Sequence, residues 1–243
     1  MSDLKNKVAL ITGGGRGIGR AIALALAAEG CHVAVTGRNA AALEEVARSA
    51  RALGVQAAAF VADLADDAAL ASLVDRTVAT LGPIDFLVNN AAVLHPVALL
   101  DTTPAQWDET MATNLRSVFL LSQRVLKLMA ERRSGYIVNI ASTVAHGAKQ
   151  EVAAYSASKF GLVGLSQALS GAGKPFGVRV STVYPGVTDT PMLRDANQDG
   201  SVGRPEQWML PEDIAYCVLF LFKQPPRMVV KEITPWAFSY DKI

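Results

Sequence analysis

Cysteine is scarce in this chain: two in 243 residues, Cys31 and Cys217, both in apolar surroundings. That excludes a disulfide framework, and two free thiols are expected, which fits a cytoplasmic protein. Long apolar runs are missing too. The longest, Ile214 to Phe222, has nine residues, whereas a spanning helix needs about 20. The first apolar stretch, Val8 to Ile11, ends after four residues in glycines, so no secretory signal is expected. Neither sign of charge predominates, since 23 Lys and Arg face 22 Asp and Glu for a net charge of +1. Without a basic block, neither nucleic acid nor an anionic membrane is an expected partner. The three histidines, His32, His95 and His146, show no metal-ligand spacing, and no metal is expected. His95 and His146 fall in segments that border the expected substrate region. Aromatic residues make up only 7%, and Trp107, Trp208 and Trp236 are not spaced as a binding platform. Of the three, Trp208 falls in the loop expected to reach substrate.

What is present is apolar and regular. The chain is 51% hydrophobic, and a chain of this size buries roughly 70–75% of its unfolded surface in one core. A single α/β domain over residues 1–243 is expected. Short apolar runs at Val8–Ile11, Val33–Thr36, Ala57–Val61, Asp85–Val88, Tyr136–Ile140 and Val178–Val183 read as buried strands. Met228–Ile233 is a candidate final strand. Helical stretches lie between them, at Ile18–Ala28, Ala41–Leu53, Ala68–Leu81, Pro104–Ala130, Val152–Leu169 and Pro211–Phe222. Continuously apolar strands alternating with helices indicate a parallel sheet covered on both faces. Right-handed crossovers then give a doubly wound, Rossmann-type sheet, here of seven strands. Residues 186–210 lack a clear period and read as a substrate loop.

The first strand runs into Thr12-Gly13-Gly14-Gly15-Arg16-Gly17-Ile18-Gly19. Glycines at such a turn let the backbone approach a pyrophosphate, and the following helix offers unpaired N–H groups. The spacing through Gly13, Gly17 and Gly19 differs from the general G-x-G-x-x-G fingerprint. The second strand ends Val35-Thr36-Gly37-Arg38, with no carboxylate for a ribose 2′-hydroxyl. Arg38 and Arg16 instead suit a 2′-phosphate, which predicts NADPH/NADP+ as cofactor. Two solvated surface arginines remain the alternative at this point.

Tyr155 and Lys159 stand at i and i+4 on one helical face. A nearby ammonium favours a phenolate over its usual pKa near 10, although such a pair is also ordinary on a helix surface. Ser142 adds to it, because it follows the fifth strand at the carboxyl edge of the sheet, where ligands bind in such folds. Asn89-Asn90-Ala91-Ala92 follows the fourth strand at the same edge, and Asn114 lies in the long helix before the fifth strand.

Together these motifs resemble the short-chain dehydrogenase/reductase family, with matching signs from Thr12 to about Thr190. The resemblance rests on the glycine loop, Asp63, Asn89-Asn90-Ala91, the Asn114, Ser142, Tyr155, Lys159 set, and Pro185-Gly186 with Thr188 and Thr190. It implies that Gly13, Arg16, Gly17, Ile18, Gly19 and Arg38 bind the phosphates. It implies adenine beside Asp63 and Leu64, and the adenosine ribose near Asn90 and Ala91. Lys159 would hold the nicotinamide ribose as well as act on Tyr155. The segment Pro185, Gly186, Val187, Thr188 and Thr190 would lie along the nicotinamide, with Val187 at the carboxamide. Asn114 would hold a water that reloads the proton. Ala92 departs from the family's usual glycine. The ending Met228 to Trp236 resembles the branch of carbonyl reductases and alcohol or hydroxy-acid dehydrogenases.

The expected activity is therefore reversible NADPH-dependent reduction of a ketone or aldehyde to an alcohol. Its alternatives are a 3-oxoacyl-thioester (acyl-carrier-protein) reductase and, from another class, a non-catalytic NADP(H)-binding regulator. Surplus apolar residues on the helices of Asn114 and Tyr155 predict a homotetramer, or else a homodimer.

Overall fold

Strands and helices alternate along the chain in the computed structural model, which describes residues 3–197, 200 and 202–239. The strands are β1 Val8–Thr12, β2 His32–Gly37, β3 Ala57–Val61, β4 Phe86–Asn89, β5 Gly135–Ile140, β6 Val178–Val183 and β7 Glu232–Ile233. All pair in parallel, in the order β3-β2-β1-β4-β5-β6-β7. The direction of winding reverses between β1 and β4, and at such a switch point a crevice opens beyond the carboxyl ends of the strands. The expected seven-stranded Rossmann-type α/β fold is the observed one.

The helices are α1 Gly17–Ala28, α2 Ala40–Ala52, α3 Asp67–Leu81, α4 Pro104–Met111, α5 Ser117–Glu131, α6 Ala153–Gly173, α7 Pro191–Ala196 and α8 Pro211–Phe222. Strand residues alternate between the two faces. Ala9, Ile11, Val33 and Val35 pack with α1, α2 and α8, while Leu10, Ala34, Leu87 and Ile137 pack with α3, α5 and α6. Both layers are fully buried, which is why the strand sequences run apolar without interruption. Phe222 stacks on Phe86 at 4.2 Å and meets the edge of Tyr136 at 5.2 Å. Burying a side chain of that size contributes about 1.5–3 kcal/mol.

Three expectations about elements change. The 104–130 helix is interrupted by a π-helical turn, Ala112–Arg116, that contains Asn114. Apolar periodicity continues through the turn, so the sequence pattern hides it. The final strand is only Glu232–Ile233, paired with Thr182–Val183. Upstream of it the Arg179 guanidinium takes the carbonyls of Gln224, Pro225 and Met228, drawing that stretch out of the ladder. The 186–210 segment is not all loop, since α7 and a short turn at Pro205–Gln207 lie within it. Residues 198, 199 and 201 of that segment lie outside the described residues.

A buried polar network crosses the second face. Asn89 and Asn139 are register partners at the ends of β4 and β5. The Asn89 amide donates to Asn139 Oδ1 at 2.8 Å and to Ser122 Oγ of α5 at 2.9 Å. The Asn139 amide donates to Ser166 Oγ of α6 at 2.8 Å, and Ser166 donates to the Leu162 carbonyl. Two strands and two helices are thereby fixed to one another. Asn139→Ala orphans buried groups on both sides and should lower stability by about 1–3 kcal/mol. Urea unfolding measures this, and a loss under about 0.5 kcal/mol would place the network among surface-like contacts.

Candidate active site

The cleft at the switch point has a volume of about 1180 Å³. Its floor is the loop between β1 and α1. Gly13 and Gly17 have φ of +64° and +51°, a region that L side chains rarely adopt. A Cβ at Gly19 would lie 2.2 Å from the Gly13 carbonyl oxygen, so only glycine allows the loop to close on the helix. The loop is held from outside. Thr12 Oγ1 accepts from the N–H groups of Asn90 and Ala91 at 2.9 and 3.0 Å, and the Asn90 amide donates to the Thr12 carbonyl at 2.9 Å. Asn90 thus secures the glycine loop, and Ala91 lines the cleft beside it. Helix α1 begins without a side-chain cap and without an acidic residue in its first turn. Its first N–H groups and positive dipole end therefore remain available to an anion. By contrast, α2 is capped by Asn39 and α3 by Asp66.

Arg16, Ile18, Arg38, Asp63 and Leu64 line the same cleft. Asp63 Oδ1 accepts from the Ala65 N–H at 3.0 Å, and Leu64 is buried. Arg38 is exposed, and its Nη1 lies 3.6 Å from Glu109 Oε1. On the far side, Pro185, Gly186, Val187, Thr188 and Thr190 form the wall. This wall is braced: the Gly186 N–H donates to the Pro235 carbonyl, the Thr188 hydroxyl to the Gly186 carbonyl, and the Met209 N–H to the Val187 carbonyl. Thr190 caps α7, with its hydroxyl accepting from the Leu193 N–H at 3.2 Å. Its methyl group packs close to Gly17, where a Cβ would lie 3.3 Å from it.

Ser142, Tyr155 and Lys159 meet between these walls. Ser142 starts a single turn after β5, and its hydroxyl accepts from the Val144 N–H at 3.3 Å. Tyr155 and Lys159 lie one turn apart on α6, and Lys159 Nζ is 5.4 Å from the Tyr155 ring centre. Nζ donates to the Ile140 carbonyl at 2.8 Å and is buried. Burial pushes the Tyr155 phenol up to about 12, and a hydrogen bond with the Ser142 hydroxyl offsets this in part. Burial pushes Lys159 down to about 7. The expected lowering of Tyr155 by the ammonium is therefore not what governs this site. Removal from water opposes charge on both groups, leaving a neutral phenol beside a lysine that titrates near neutrality.

Asn114 does not line the cleft. Its Oδ1 accepts from the Val93 N–H at 2.8 Å, and its amide donates to the Val93 carbonyl and to Ser158 Oγ on α6. The side chain ties the segment after β4 to the helix of Tyr155. The π-helical turn that presents it is a distortion often found at functional sites. Trp208, expected to reach substrate, is buried instead, with its indole N–H on the Val202 carbonyl. Trp236 lines the cleft, its ring packed against Gly186. His146 also lines it and lies against the Tyr184 ring at 4.4 Å, whereas His95 binds Glu109. The joint role of Asn89 and Asn139 in the buried network, and the place of Trp236 in the cleft wall, are not among the expectations from sequence. The two asparagines carried a signal: each is a polar residue in an otherwise apolar strand.

The family model of short chain dehydrogenases matches residues 7–201. Sepiapterin reductase of Chlorobaculum tepidum is 38% identical over 233 residues, covering 93% of this chain and 94% of the relative. The 3-oxoacyl-[acyl-carrier-protein] reductase of Escherichia coli is 34% identical over 201 residues, covering 83% and 81%. A metagenomic short-chain oxidoreductase solved in complex with NADP superposes with a TM-score of 0.84 at 34% identity, covering 97% of this chain and 99% of that one. The chain belongs to the short-chain dehydrogenase/reductase family, whose members are oxidoreductases. The close-packed glycines, the uncapped start of α1 and the two cleft arginines fit a dinucleotide with a 2′-phosphate.

Burying Lys159 opposes stability in a pH-dependent way. Its folded pKa of about 7 lies below the ordinary 10.5. Between these values the unfolded chain holds the extra proton, so stability rises with pH across that window. The cost is largest below it and absent above it. Lys159→Met should therefore raise the Tm most near neutral pH, with the advantage shrinking toward pH 10.5. Thermal melts across that range check this. A variant that melts lower at every pH would show that the Ile140 hydrogen bond outweighs desolvation.

Proposed function

We propose that the protein is an NADPH-dependent oxidoreductase that reversibly reduces a ketone or aldehyde to an alcohol. The observation that carries this is the meeting of Ser142, Tyr155 and Lys159 in the cleft that Arg16 and Arg38 also line. Gly13, Gly17, Ile18, Gly19 and the arginines hold the phosphates. Asp63 and Leu64 flank the adenine, with Asn90 and Ala91 at its ribose. Pro185, Gly186, Val187, Thr188 and Thr190 lie along the nicotinamide, and Lys159 at its ribose. When bound, the nicotinamide supplies hydride to the carbonyl carbon or takes it from the alcohol.

The chain's own groups handle the oxygen. Ser142 donates a hydrogen bond to the substrate carbonyl and orients it. Tyr155, protonated throughout the neutral range, gives its proton as negative charge grows there. Lys159, titrating near 7, supplies positive charge beside the phenolate that remains. Asn114 holds the path by which a water returns the proton, by fixing Val93 and Ser158.

A second reading is a 3-oxoacyl-thioester reductase, favoured by the similarity to the Escherichia coli enzyme of that name. A panel of free ketones and aldehydes against carrier-bound 3-oxoacyl thioesters, followed at the nicotinamide absorbance, separates them. No helix among the described residues is long and apolar enough to cross a membrane. A cytoplasmic location is part of the same proposal, and its support is the pair of free thiols, Cys31 and Cys217.

The same reading includes self-assembly, a homotetramer in preference to a dimer. Val118, Leu121, Val125 and Met129 of α5 and Leu162 and Leu169 of α6 are buried within the chain, but Phe119 and Phe160 stay 43% and 46% exposed. Phe119, Leu115, Gly161 and Leu165 form a shallow apolar groove between the two helices. A second copy of the same face would cover it across a twofold axis.

Two outcomes are expected. Tyr155→Phe abolishes turnover while leaving NADPH binding nearly intact. More than about a tenth of the activity remaining would reassign the acid, because a positioned proton donor contributes 10²–10⁴-fold. Phe119→Glu lowers the mass measured by light scattering and lowers activity with it, since α6 carries Tyr155 and Lys159. An unchanged mass would leave this groove out of the assembly.

A further inference from the structure

Beside the adenine end of the cleft three charged or titratable side chains meet from three separate parts of the chain. Arg38 reaches from the end of β2, Glu109 from α4, and His95 from the segment between β4 and α4. Glu109 Oε1 lies 3.6 Å from Arg38 Nη1, and Glu109 Oε2 lies 3.0 Å from His95 Nε2. Each carboxylate oxygen thus has its own partner, and His95 holds the carboxylate toward Arg38. Glu109 stands one helical turn before Thr113, which itself lines the cleft, so the carboxylate borders the cleft without lining it.

We propose that Glu109 is a specificity-determining residue that acts through Arg38 and weakens the protein's hold on a cofactor 2′-phosphate. This rests on the reading of the cleft as an NADP(H) site. At 3.6 Å the contact is an ion pair without a hydrogen bond, so Glu109 leaves the donors of Arg38 free but gives the guanidinium less unbalanced charge, and a competing direction, when it meets a second anion. A 2′-phosphate therefore competes with Glu109 for Arg38. A 2′-hydroxyl does not compete, because it carries no charge. The side chains of Arg38 and Glu109 are 66% and 40% exposed, so water and salt damp direct repulsion between Glu109 and the phosphate. Competition for the guanidinium is the larger effect. The preference for NADPH is thus held below what Arg16 and Arg38 alone would give.

Calorimetric titration with 2′,5′-ADP and with 5′-AMP isolates the phosphate. Glu109 is a surface residue, so Glu109→Gln leaves the core untouched. It should tighten 2′,5′-ADP by about two- to fivefold, the scale of an exposed ion pair, and leave 5′-AMP unchanged. In an Arg38→Ala background the same substitution should give no gain. A selectivity ratio that is unchanged or falls in Glu109→Gln overturns the inference, the latter showing that Glu109 anchors Arg38 for the phosphate. A gain that persists without Arg38 overturns it as well, because the carboxylate would then act on the phosphate directly. If the unsubstituted protein does not prefer 2′,5′-ADP to 5′-AMP, the NADP(H) reading and this inference fall together. If it does and Glu109→Gln adds nothing, only the inference falls.

Discussion

The hydrogen bond from Asn89 to Asn139 joins the two central strands at the level where the sheet stops being apolar. Below it the side chains of β1, β4 and β5 are buried, apart from half-buried Gly135 at the start of β5. Above it the chain is free to present polar groups. The same two amides reach Ser122 on α5 and Ser166 on α6, so the helices are set against the strand ends and not merely pressed onto a greasy face. Apolar packing alone lets a helix slide along a sheet. A buried polar network resists sliding, because a shift would break its hydrogen bonds and orphan further buried groups. The position of α6 decides where Tyr155 and Lys159 stand. Lys159 then bonds to the carbonyl of Ile140, the residue directly after Asn139.

That placement is costly, and the cost is tied to the chemistry. A lysine out of water loses part of its charge near neutral pH, and a half-buried, desolvated phenol keeps its proton. A protonated phenol is the form that can act as an acid. A lysine titrating close to neutrality responds strongly to any charge brought near it. The site therefore gives up fold stability for groups whose protonation the reaction can change. The rest of the cleft is rigid by other means: Thr12 and Asn90 fix the glycine loop, and Pro235 and Met209 brace the wall around Gly186.

Much of this was legible in the sequence because its constraints are local. A glycine with positive φ, an apolar strand and a Tyr-Lys pair one turn apart each leave a mark within a few residues. Gly13, Gly17, Tyr155 and Lys159 could therefore be read directly. The π-helical turn at Asn114 could not, since Met111, Leu115 and Val118 keep ordinary helical spacings of four and three across it. The length of β7 depended on Arg179 capturing carbonyls some 45 to 49 residues away. Trp208 is buried and not at the substrate, because its indole N–H reaches the Val202 carbonyl, a contact that no local pattern announces. The Arg38–Glu109 contact joins residues on separate elements, and no local pattern announces it. The direction of the Tyr155 shift was misread for a related reason. Proximity to Lys159 is visible in sequence, but burial is a property of the whole cleft.

The central claim is that this cleft moves hydride between a dinucleotide and a carbonyl carbon. Its most direct test is reduction of a carbonyl panel with NADPH carrying deuterium at the transferable position of the nicotinamide, with the product read by mass spectrometry and NMR. The account predicts deuterium on the carbinol carbon of at least one product, with stoichiometric loss of NADPH. Tight NADPH binding with no deuterium transferred to any carbonyl in the panel would contradict it and leave a binding protein in its place.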